Sequence, residues 1–301
     1  MPTPPIPFDS STVWLITGSS SGLGKSIAQT AYNAGHQVVA TARNTRTLSY
    51  LPDDSRVLKL GLDVTSRKSI VSAIQSSVDR FGHLDVVVNN AGYTHMGDTE
   101  VISEADSRLL LETLFWGPVS IMQEAVRVFR DINPGRRGGT IVNVSSMGGS
   151  MTVPGNSFYH AGKFALEGFA KSMSQEMEPE WNIRFLIIAP GSIRTNFINA
   201  LKVEPRHPAY DNPSNPTTQI LNHVKNAATR GIISEPDICA KLLFDTVVGR
   251  YDRPFPKRIL MGSDAYHAVK HEIDTTLHEI ESWKIECESC SPNRDTDVAQ
   301  T

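Results

Sequence analysis

Seven runs of mostly apolar residues, each of strand length, recur along the chain. Within each run the apolar residues follow one another, whereas a strand with one solvent-facing side alternates apolar and polar positions. Continuous runs are typical of parallel strands that are buried on both faces. The predicted strands are Val13–Thr17, Gln37–Ala42, Val57–Leu62, Leu84–Val88, Thr140–Val144, Ile183–Ala189 and Lys257–Met261.

The segments between these strands have the apolar period of helices, and several end at a glycine, a common residue at a helix C-terminus. The alternation predicts an α/β fold, a single doubly wound domain in which helices cover both faces of a parallel sheet of about seven strands. The predicted helices are Leu23–Ala34, Ser66–Phe81, Glu104–Asp131, Phe158–Glu178, Pro236–Val248 and Asp264 to about Trp283.

This pattern places the domain at residues 12–283, between two tails. The N-terminal tail, 1–11, is rich in proline, and the C-terminal tail, 284–301, is polar and is expected to be flexible. One internal segment, 196–231, carries several prolines and has no clear period before Thr217. Long loops inside a compact domain are usually lids or disordered segments, so we expect this one to close over a substrate.

The charge of the chain restricts the kind of partner. The 301 residues include 29 basic and 32 acidic side chains, which gives a formal net charge of −3. Such a surface gives no reason to expect nucleic acid or an anionic membrane. No apolar run approaches the roughly 20 residues of a membrane helix. The 3 cysteines cannot form a disulfide framework and favour a reducing compartment, predicted to be the cytoplasm. The expected partner is a small molecule, and no metal site is predicted.

A glycine-rich turn follows the first predicted strand and opens the first predicted helix. It runs from Thr17 to Gly24 and reads TGSSSGLG. A pyrophosphate can approach backbone N–H groups where side chains are missing, and a helix N-terminus supplies partial positive charge to the anion. Tight turns of purely structural origin are about as common, so the turn alone is weak evidence. Its place between a strand and a helix predicts a nucleotide-binding site.

Four further segments follow in the order of the short-chain dehydrogenase/reductase family, which the chain resembles over residues 13–261. The resemblance implies a Rossmann fold and an oxidoreductase that transfers hydride between a nicotinamide cofactor and a carbonyl compound or a secondary alcohol. The four segments are Asn89 to Gly92 (NNAG), the pair Ser145 and Ser146, Tyr159 to Lys163 (YHAGK) and Pro190 to Thr195 (PGSIRT).

The resemblance assigns the chemistry to Ser146, Tyr159 and Lys163. Tyr159 and Lys163 are four residues apart, so they share one face of a helix. A phenol has an ordinary pKa of about 10, and a nearby ammonium is expected to lower the pKa of Tyr159. In the family, the tyrosine exchanges a proton with the substrate oxygen and the lysine also binds the nicotinamide ribose. The serine bonds the substrate oxygen where charge develops. Ser145 is expected to cap the backbone instead.

Charge at the end of the second strand favours NADPH over NADH. A ribose 2′-hydroxyl is normally held there by a carboxylate, whereas a 2′-phosphate is attracted by arginine. The strand ends at Ala42, and Arg43 follows with no acidic residue beside it. Thr195 resembles the family residue that holds the nicotinamide carboxamide, and Asp63 with Val64 resembles the pair beside the adenine. The expected cofactor-binding residues are Gly18, Ser20, Ser21, Gly22, Leu23, Gly24, Arg43, Asp63, Val64, Asn90, Ala91, Gly92, Tyr159, Lys163, Pro190, Gly191, Ile193 and Thr195.

One position on the helix before the fifth strand departs from the family. Where the family usually has an asparagine that holds a water beside the lysine, this chain has Leu114, which cannot form hydrogen bonds. Either the proton path is rebuilt with Thr113 or water, or turnover is slow. Two alternatives to a reductase therefore stay open. One is a tailoring enzyme that isomerises, eliminates or cyclises with the nucleotide optional, and the other is a nucleotide-sensing regulatory protein without turnover.

A few side chains near the serine loop and the predicted lid suggest an apolar substrate, although core packing would explain them equally well. The resemblance also suggests a homodimer or homotetramer built on the predicted helices 104–131 and 158–178. The candidate substrate-lining residues are His95, Met147, Met151, Phe197 and Tyr210.

Overall fold

All seven strands predicted from the apolar runs are present, and they form one parallel sheet. The computed structural model describes residues 8–195, 201–226 and 233–291, so the predicted lid residue Phe197 lies outside the described residues. The strands of the sheet are β1 (Val13–Ile16), β2 (Gln37–Ala42), β3 (Val57–Gly61), β4 (Val86–Asn89), β6 (Gly139–Val144), β7 (Ile183–Pro190) and β9 (Arg258–Met261).

The order of the strands creates a crevice at the middle of the sheet. The sheet order is β3-β2-β1-β4-β6-β7-β9, and every neighbouring pair is parallel. The chain builds outwards from β1 in one direction and from β4 in the other, so the order reverses between these two strands. Ligands of open α/β sheets bind beyond the carboxyl ends of the strands at such a point. The loops after β1 and β4 therefore border the expected binding crevice.

Helices cover both faces of the sheet, as the alternating pattern predicts. The cluster of buried apolar residues on one face includes side chains of α1 and α7, and the cluster on the other face includes side chains of α2, α4 and α5. The helices are α1 (Gly22–Asn33), α2 (Arg67–Phe81), α3 (Glu104–Leu111), α4 (Gly117–Arg127), α5 (Ser157–Gln175), α6 (Pro216–Asn226), α7 (Pro236–Val247), α8 (Ser263–Ser282) and α9 (Lys284–Ser289).

The helix predicted over 104–131 is interrupted by two wide, π-helical turns, at Glu112–Trp116 and at Val128–Ile132. Pro118 gives a physical reason for the first interruption, because proline has no N–H to donate to the carbonyl one turn earlier. The neighbouring Gly117 also packs closely, since a Cβ there would lie 2.6 Å from the Val64 carbonyl oxygen. The first wide turn contains residue 114, where the sequence departs from the family.

The structure adds local detail at both tails and in the predicted lid. Phe8 packs against the core, so the described end of the N-terminal tail is attached to the domain. The C-terminal tail begins with the exposed helix α9. In the lid region, β8 (Lys202–Val203) pairs in parallel with β5 (His95–Met96). The pattern of apolar residues does not predict this two-residue pairing. Within the described part of the chain, no helix is both long enough and apolar enough to cross a membrane.

Candidate active site

The glycine turn and the turn after β4 hold each other in place at the crevice. Thr17 Oγ1 accepts hydrogen bonds from the backbone N–H groups of Asn90 (2.9 Å) and Ala91 (3.0 Å). The Asn90 side-chain amide donates to the carbonyls of Thr17 (2.8 Å) and Gly18 (3.2 Å). A Cβ at Gly24 would collide with this amide, so the turn requires glycine there. Asn90 therefore holds the glycine turn in its conformation, a structural role that does not depend on contact with a cofactor.

The start of α1 has the features of an anion site. The side chain of its N-cap residue Ser21 forms no hydrogen bond with the N–H groups of the first turn, which begins at Gly22, Leu23 and Gly24. Gly22 has a left-handed φ of +54°, and a Cβ there would lie 3.0 Å from Thr195 Cβ. The loop after β7 thus reaches across to the glycine turn. Uncapped N–H donors at a helix start are what a pyrophosphate binds, so these residues fit a dinucleotide.

Arg43 and Asp63 are neighbours at the carboxyl ends of β2 and β3. The Asp63 carboxylate accepts hydrogen bonds from the Thr65 N–H (3.0 Å) and hydroxyl (2.8 Å). These bonds lower the pKa of Asp63, and the positive charge of Arg43 adds a smaller effect in the same direction. The Arg43 side chain is exposed. Exposed charge at this edge is available to the adenosine half of a dinucleotide.

Ser146, Tyr159 and Lys163 come together at the carboxyl end of β6, as their motifs predict. The Ser146 hydroxyl is hydrogen-bonded with the Tyr159 phenol. Lys163 Nζ lies 5.7 Å from the centre of the Tyr159 ring and donates to the Val144 carbonyl at 2.8 Å. Tyr159 and Lys163 are only 8% and 6% exposed. The serine, the phenol and the ammonium therefore share one nearly dry site.

Burial changes the acidity of these groups more than their mutual charges do. Burial raises the pKa of Tyr159, and the hydrogen bond with Ser146 lowers it by a smaller amount. Burial also lowers the pKa of Lys163 to about 8, against an opposing effect of Glu167. The pKa of Tyr159 is therefore raised and not lowered as expected, because burial is its largest cause and disfavours the charged phenolate. At neutral pH Tyr159 is a protonated phenol and Lys163 is mainly an ammonium.

The loop that carries Ser146 is held by a histidine next to Tyr159 on α5. Ser146 Oγ accepts the N–H of Gly148 at 3.1 Å and so begins a short turn. His160 Nε2 accepts the N–H of Val153 (3.0 Å), so Nδ1 carries the proton and donates to the Gly148 carbonyl (2.9 Å). Burial lowers the pKa of His160 and favours this neutral form. Sequence analysis alone gives no indication of this anchoring role.

Leu114 fills the position of the family's asparagine with apolar surface. It is 1% exposed and packs in a cluster with Leu110 and Tyr159. A Cβ at Gly162, one residue before Lys163, would lie 3.1 Å from Leu114 Cβ. The hydroxyl of Thr113 is shared between the Leu109 carbonyl (3.0 Å) and the Tyr93 phenol. Within the described residues, the hydroxyl of Thr113 is therefore bonded to Leu109 and Tyr93 and not to Lys163.

The loop after β7 is fixed from the last helix of the domain. The backbone N–H of Ser192 donates to Asp264 Oδ2 at 2.7 Å, and a Cβ at Gly191 would collide with the same carboxylate. Ile193 forms an isolated parallel bridge with Ser234. This loop, which begins at Pro190 and includes Thr195, therefore has a defined path across the crevice. Asp264 lies 72 residues after Ser192 in the chain, and no motif predicts its contact with this loop.

We call residues 201–226, the described part of the predicted lid, the cap segment. A buried ion pair ties it to the residues that follow β5, because Arg206 bonds the fully buried Asp98 carboxylate at 2.9 and 3.0 Å. His95 Nε2 lies 2.7 Å from Glu204 Oε1 in the same region. Lys202 Nζ bonds Glu204 Oε1 at 3.1 Å. The cap segment is thus attached at several points rather than free to swing as a whole.

The candidate substrate-lining residues are divided between two locations. His95 is 1% exposed and its ring nitrogen is taken by Glu204, so it supports the cap segment instead of facing an open pocket. Tyr210, which lies in the cap segment, forms a hydrogen bond with Glu100 through its phenol. Met147 and Met151 are half-buried on the loop that follows Ser146. Of the described members of the set, the two methionines are the ones that lie on the same loop as Ser146.

Comparisons with known proteins agree with this geometry. Residues 12–205 match the sequence model of the short chain dehydrogenase family. The chain is similar to the oxidoreductase calM of Penicillium decumbens, with 37% identity over 286 residues that cover 93% of each protein. It is also similar to a 3-ketodihydrosphingosine reductase of Bacteroides thetaiotaomicron, with 35% identity over 185 residues that cover 61% of this chain and 64% of that protein.

A solved structure extends the similarity to the whole fold. The short-chain dehydrogenase from Streptomyces avermitilis superposes with a TM-score of 0.82 at 31% identity, over 94% of this chain and 99% of that one. This protein also combines three features in one domain: the sheet order, the glycine turn, and the cluster of Ser146, Tyr159 and Lys163. The protein therefore belongs to the short-chain dehydrogenase family of oxidoreductases, whose members use nicotinamide cofactors.

Proposed function

We propose that the protein reduces a carbonyl compound with NADPH, or oxidises the corresponding secondary alcohol with NADP. The observation that carries this proposal is the buried, protonated Tyr159 that is hydrogen-bonded with Ser146, with Lys163 one helical turn away. A bound nicotinamide supplies or accepts the hydride. The protein's own residues then have to orient the substrate oxygen and move one proton.

The proton is handled by three side chains with separate tasks. A substrate oxygen placed between the Ser146 and Tyr159 hydroxyls receives the tyrosine's proton as negative charge develops on it. The Lys163 ammonium then stabilises the phenolate that Tyr159 becomes. Lys163 has three N–H donors, and Val144 is their one hydrogen-bond acceptor within the described ranges. The remaining donors match the hydroxyls of a nicotinamide ribose.

The preference for NADP rests on Arg43. No carboxylate lies within 4.0 Å of its guanidinium in the part of the chain that the structure describes, so its charge is not neutralised by an ion pair. The 2′-phosphate of NADP is attracted by such a guanidinium, whereas a carboxylate is the usual partner of the 2′-hydroxyl of NAD. The residues that directly follow β2 are Arg43 and Asn44, and neither is acidic.

An apolar ketone is the substrate class that best fits the serine loop. Met147 and Met151 present flexible, polarisable surface beside Ser146. The relative named as a 3-ketodihydrosphingosine reductase has a ketone in its substrate's name, which supports the same class.

The 3 cysteines are free thiols, with Cys239 buried and Cys287 and Cys290 exposed, which supports a reducing compartment such as the cytoplasm.

Purified protein tests this function directly. A series of aliphatic and aromatic ketones and aldehydes of increasing size is mixed with NADPH, and the loss of nicotinamide absorbance is followed. We expect carbonyl-dependent oxidation of NADPH that is more efficient with the larger, apolar substrates. Absence of carbonyl-dependent oxidation with both NADPH and NADH would contradict the proposal.

Leu114 favours a second candidate function, that of a tailoring enzyme that works without net hydride transfer. An isomerisation or elimination needs the Tyr159 acid but no continuous supply of protons from solvent, and the apolar Leu114 offers none. Product formation in the absence of any nucleotide distinguishes this function from the reductase. The same incubations, analysed by mass spectrometry without cofactor, provide the measurement.

Leu114→Asn is expected to lower the free energy of unfolding by about 2–4 kcal/mol, because it puts an amide into an apolar cluster and removes packing volume. Leu277→Asn is the control at an exposed helical position, since Leu277 on α8 is 55% exposed and its change is expected to cost about 0.5 kcal/mol. Chemical denaturation followed by circular dichroism measures both. Equal losses for the two variants would contradict the packing assigned to Leu114.

An exposed apolar surface on α3, the wide turn after it and α5 is the proposed dimer interface. Leu109, Trp116 and Phe164 are 50%, 53% and 44% exposed there. Trp116→Glu is expected to convert the dimer into a monomer, because a carboxylate would be buried against apolar surface. Trp283→Glu is the control, because Trp283 is 64% exposed, more than Trp116, and follows the last residue of α8. Light scattering after size-exclusion chromatography measures the mass, and a Trp116→Glu dimer would contradict the assignment.

A further inference from the structure

A buried carboxylate lies directly behind the catalytic residues. Glu167 is on α5, one turn after Lys163, and its side chain is 3% exposed. Its Oε1 accepts a hydrogen bond from the Ser145 hydroxyl at 2.7 Å. Arg258 Nη2 bonds both carboxylate oxygens at 2.6 Å. Glu167 therefore joins α5, the loop after β6 and strand β9 at a single point.

The loop that carries Ser146 is built around this carboxylate. A Cβ at Gly149 would collide with Glu167 Oε1 and with Ser145 Oγ, so the loop passes directly over the acid. Ser145 immediately precedes Ser146, and its own N–H donates to the Ile188 carbonyl of β7 at 2.7 Å. The Ser145 hydroxyl, which sequence analysis assigns to backbone capping, is thus used to attach the catalytic loop to α5.

The same carboxylate acts on Lys163 through its charge. Burial lowers the pKa of Lys163, and Glu167 is the group that opposes this effect. Within the described ranges, Lys163 also lies beside the Tyr159 ring on α5 and donates to the Val144 carbonyl on β6. The apolar Leu114 of the wide turn before α4 packs beside Gly162, the residue before Lys163.

Two cations face Glu167 itself. Arg258 on β9 is hydrogen-bonded to it, and Lys171, one turn further along α5, lies 3.8 Å from Oε2. Lys171 is 56% exposed, so solvent screens its charge, whereas Arg258 is 24% exposed. The partly buried arginine orients the carboxylate and places a positive charge 2.6 Å from both of its oxygens.

We propose that Glu167 is a positioning residue for the reaction, which holds the Ser146 loop against α5 and supplies the counter-charge to the Lys163 ammonium. The catalytic consequence rests on the proposed function, whereas the contacts are properties of the chain without cofactor. Ser146, Tyr159 and Lys163 are thereby arranged by a fourth residue that touches none of the reacting atoms.

Glu167→Gln tests the proposal because it keeps the size and one oxygen acceptor of the side chain but removes its charge. A lysine is charged below its pKa, so a lower pKa of Lys163 means that the charge is lost at lower pH. We expect the alkaline limb of the pH profile of kcat for NADPH-dependent reduction to move down by about one pH unit. Hydrogen exchange of residues 145–153 in cofactor-free protein is expected to become about threefold faster or more.

Three further variants separate the roles. Glu176→Gln removes an exposed charge from the end of the same helix and is expected to change neither readout. Glu167→Asp keeps the charge on a shorter side chain, so it is expected to restore the pH limb but not the slow exchange of the loop. The double variant Glu167→Gln/Arg258→Gln leaves no unpaired buried arginine, and it replaces the single variant if that one fails to fold.

The outcome is decided by the two readouts together. A pH limb of Glu167→Gln that coincides with the parent's, or unchanged exchange of the loop, would overturn the proposal. If the parent protein oxidises no NADPH with any carbonyl compound, the proposed function fails, but Glu167 can still be tested without turnover. In that case the pH midpoint for chemical acylation of Lys163 in cofactor-free protein, read by mass spectrometry, replaces the kinetic limb.

Discussion

Tyr159→Phe is expected to lower kcat for carbonyl reduction by about 10²–10⁴-fold, the usual contribution of a positioned general acid. The variant loses the one hydroxyl that can protonate the substrate oxygen, together with its hydrogen bond with Ser146. The phenylalanine ring keeps the packing of the tyrosine against Leu110 and Leu114, so the fold is retained. Cofactor affinity is expected to stay within about threefold, because the glycine turn and Lys163 are unchanged.

The control for this variant is Tyr93→Phe. Tyr93 is a half-buried phenol packed against the same apolar cluster, but its hydroxyl is bonded to Thr113 and not to Ser146. We expect Tyr93→Phe to keep kcat within about threefold of the parent. Steady-state kinetics gives kcat, and quenching of intrinsic fluorescence by NADPH gives the affinity. Parent-like turnover of Tyr159→Phe would rule out the acid role of the phenol and the mechanism built on it.

The parts of the site that sequence analysis predicts are those that depend on short stretches of chain. A strand, a glycine turn and a helix follow one another within residues 13–33, so their pattern already contains their arrangement. Tyr159 and Lys163 share a face because they lie one turn apart on α5. The sheet then brings Ser146 to the same edge, since the loops after parallel strands meet at the strands' carboxyl ends.

The parts that sequence analysis misses depend on contacts between distant segments. Arg258 bonds Glu167 from 91 residues away, and Arg206 bonds Asp98 from 108 residues away. Asp98 and Arg206 lie outside the predicted strands and helices, and the predicted strand that contains Arg258 gives no sign of a distant acid, so each arginine looks like an ordinary surface charge. A signal for Glu167 is nevertheless present, because an acid one turn after the predicted Lys163 lies on the same helical face.

The acidity of Tyr159 shows the same limit in electrostatic terms. A nearby lysine predicts a lower pKa for the phenol, and that argument considers only the pair. The pKa is in fact raised by burial, which depends on how completely the loop after β6 and the wide turn containing Leu114 exclude water. Desolvation is a property of the folded surroundings, so spacing along the helix could not predict its size.

Arg43→Asp is expected to lower the ratio of kcat/KM for NADPH to kcat/KM for NADH by roughly 30–1,000-fold. Loss of a charge-assisted hydrogen bond to the 2′-phosphate accounts for about 1.5–3 kcal/mol, and each 1.4 kcal/mol is a factor of ten. The new carboxylate adds repulsion of the phosphate and offers an acceptor to the 2′-hydroxyl of NADH. The change therefore weakens one cofactor and favours the other.

Arg46→Asp is the matched control for this charge reversal. Arg46 is exposed on the same surface, three residues after Arg43, in the short turn that follows β2. A general change of the surface potential would shift both variants alike, and added salt would remove the effect. A specific contact with the 2′-phosphate requires instead that Arg43→Asp alone changes the cofactor ratio. An unchanged ratio in Arg43→Asp would show that the 2′-phosphate is not held at the end of β2, and the assignment to NADP would then lose its physical basis.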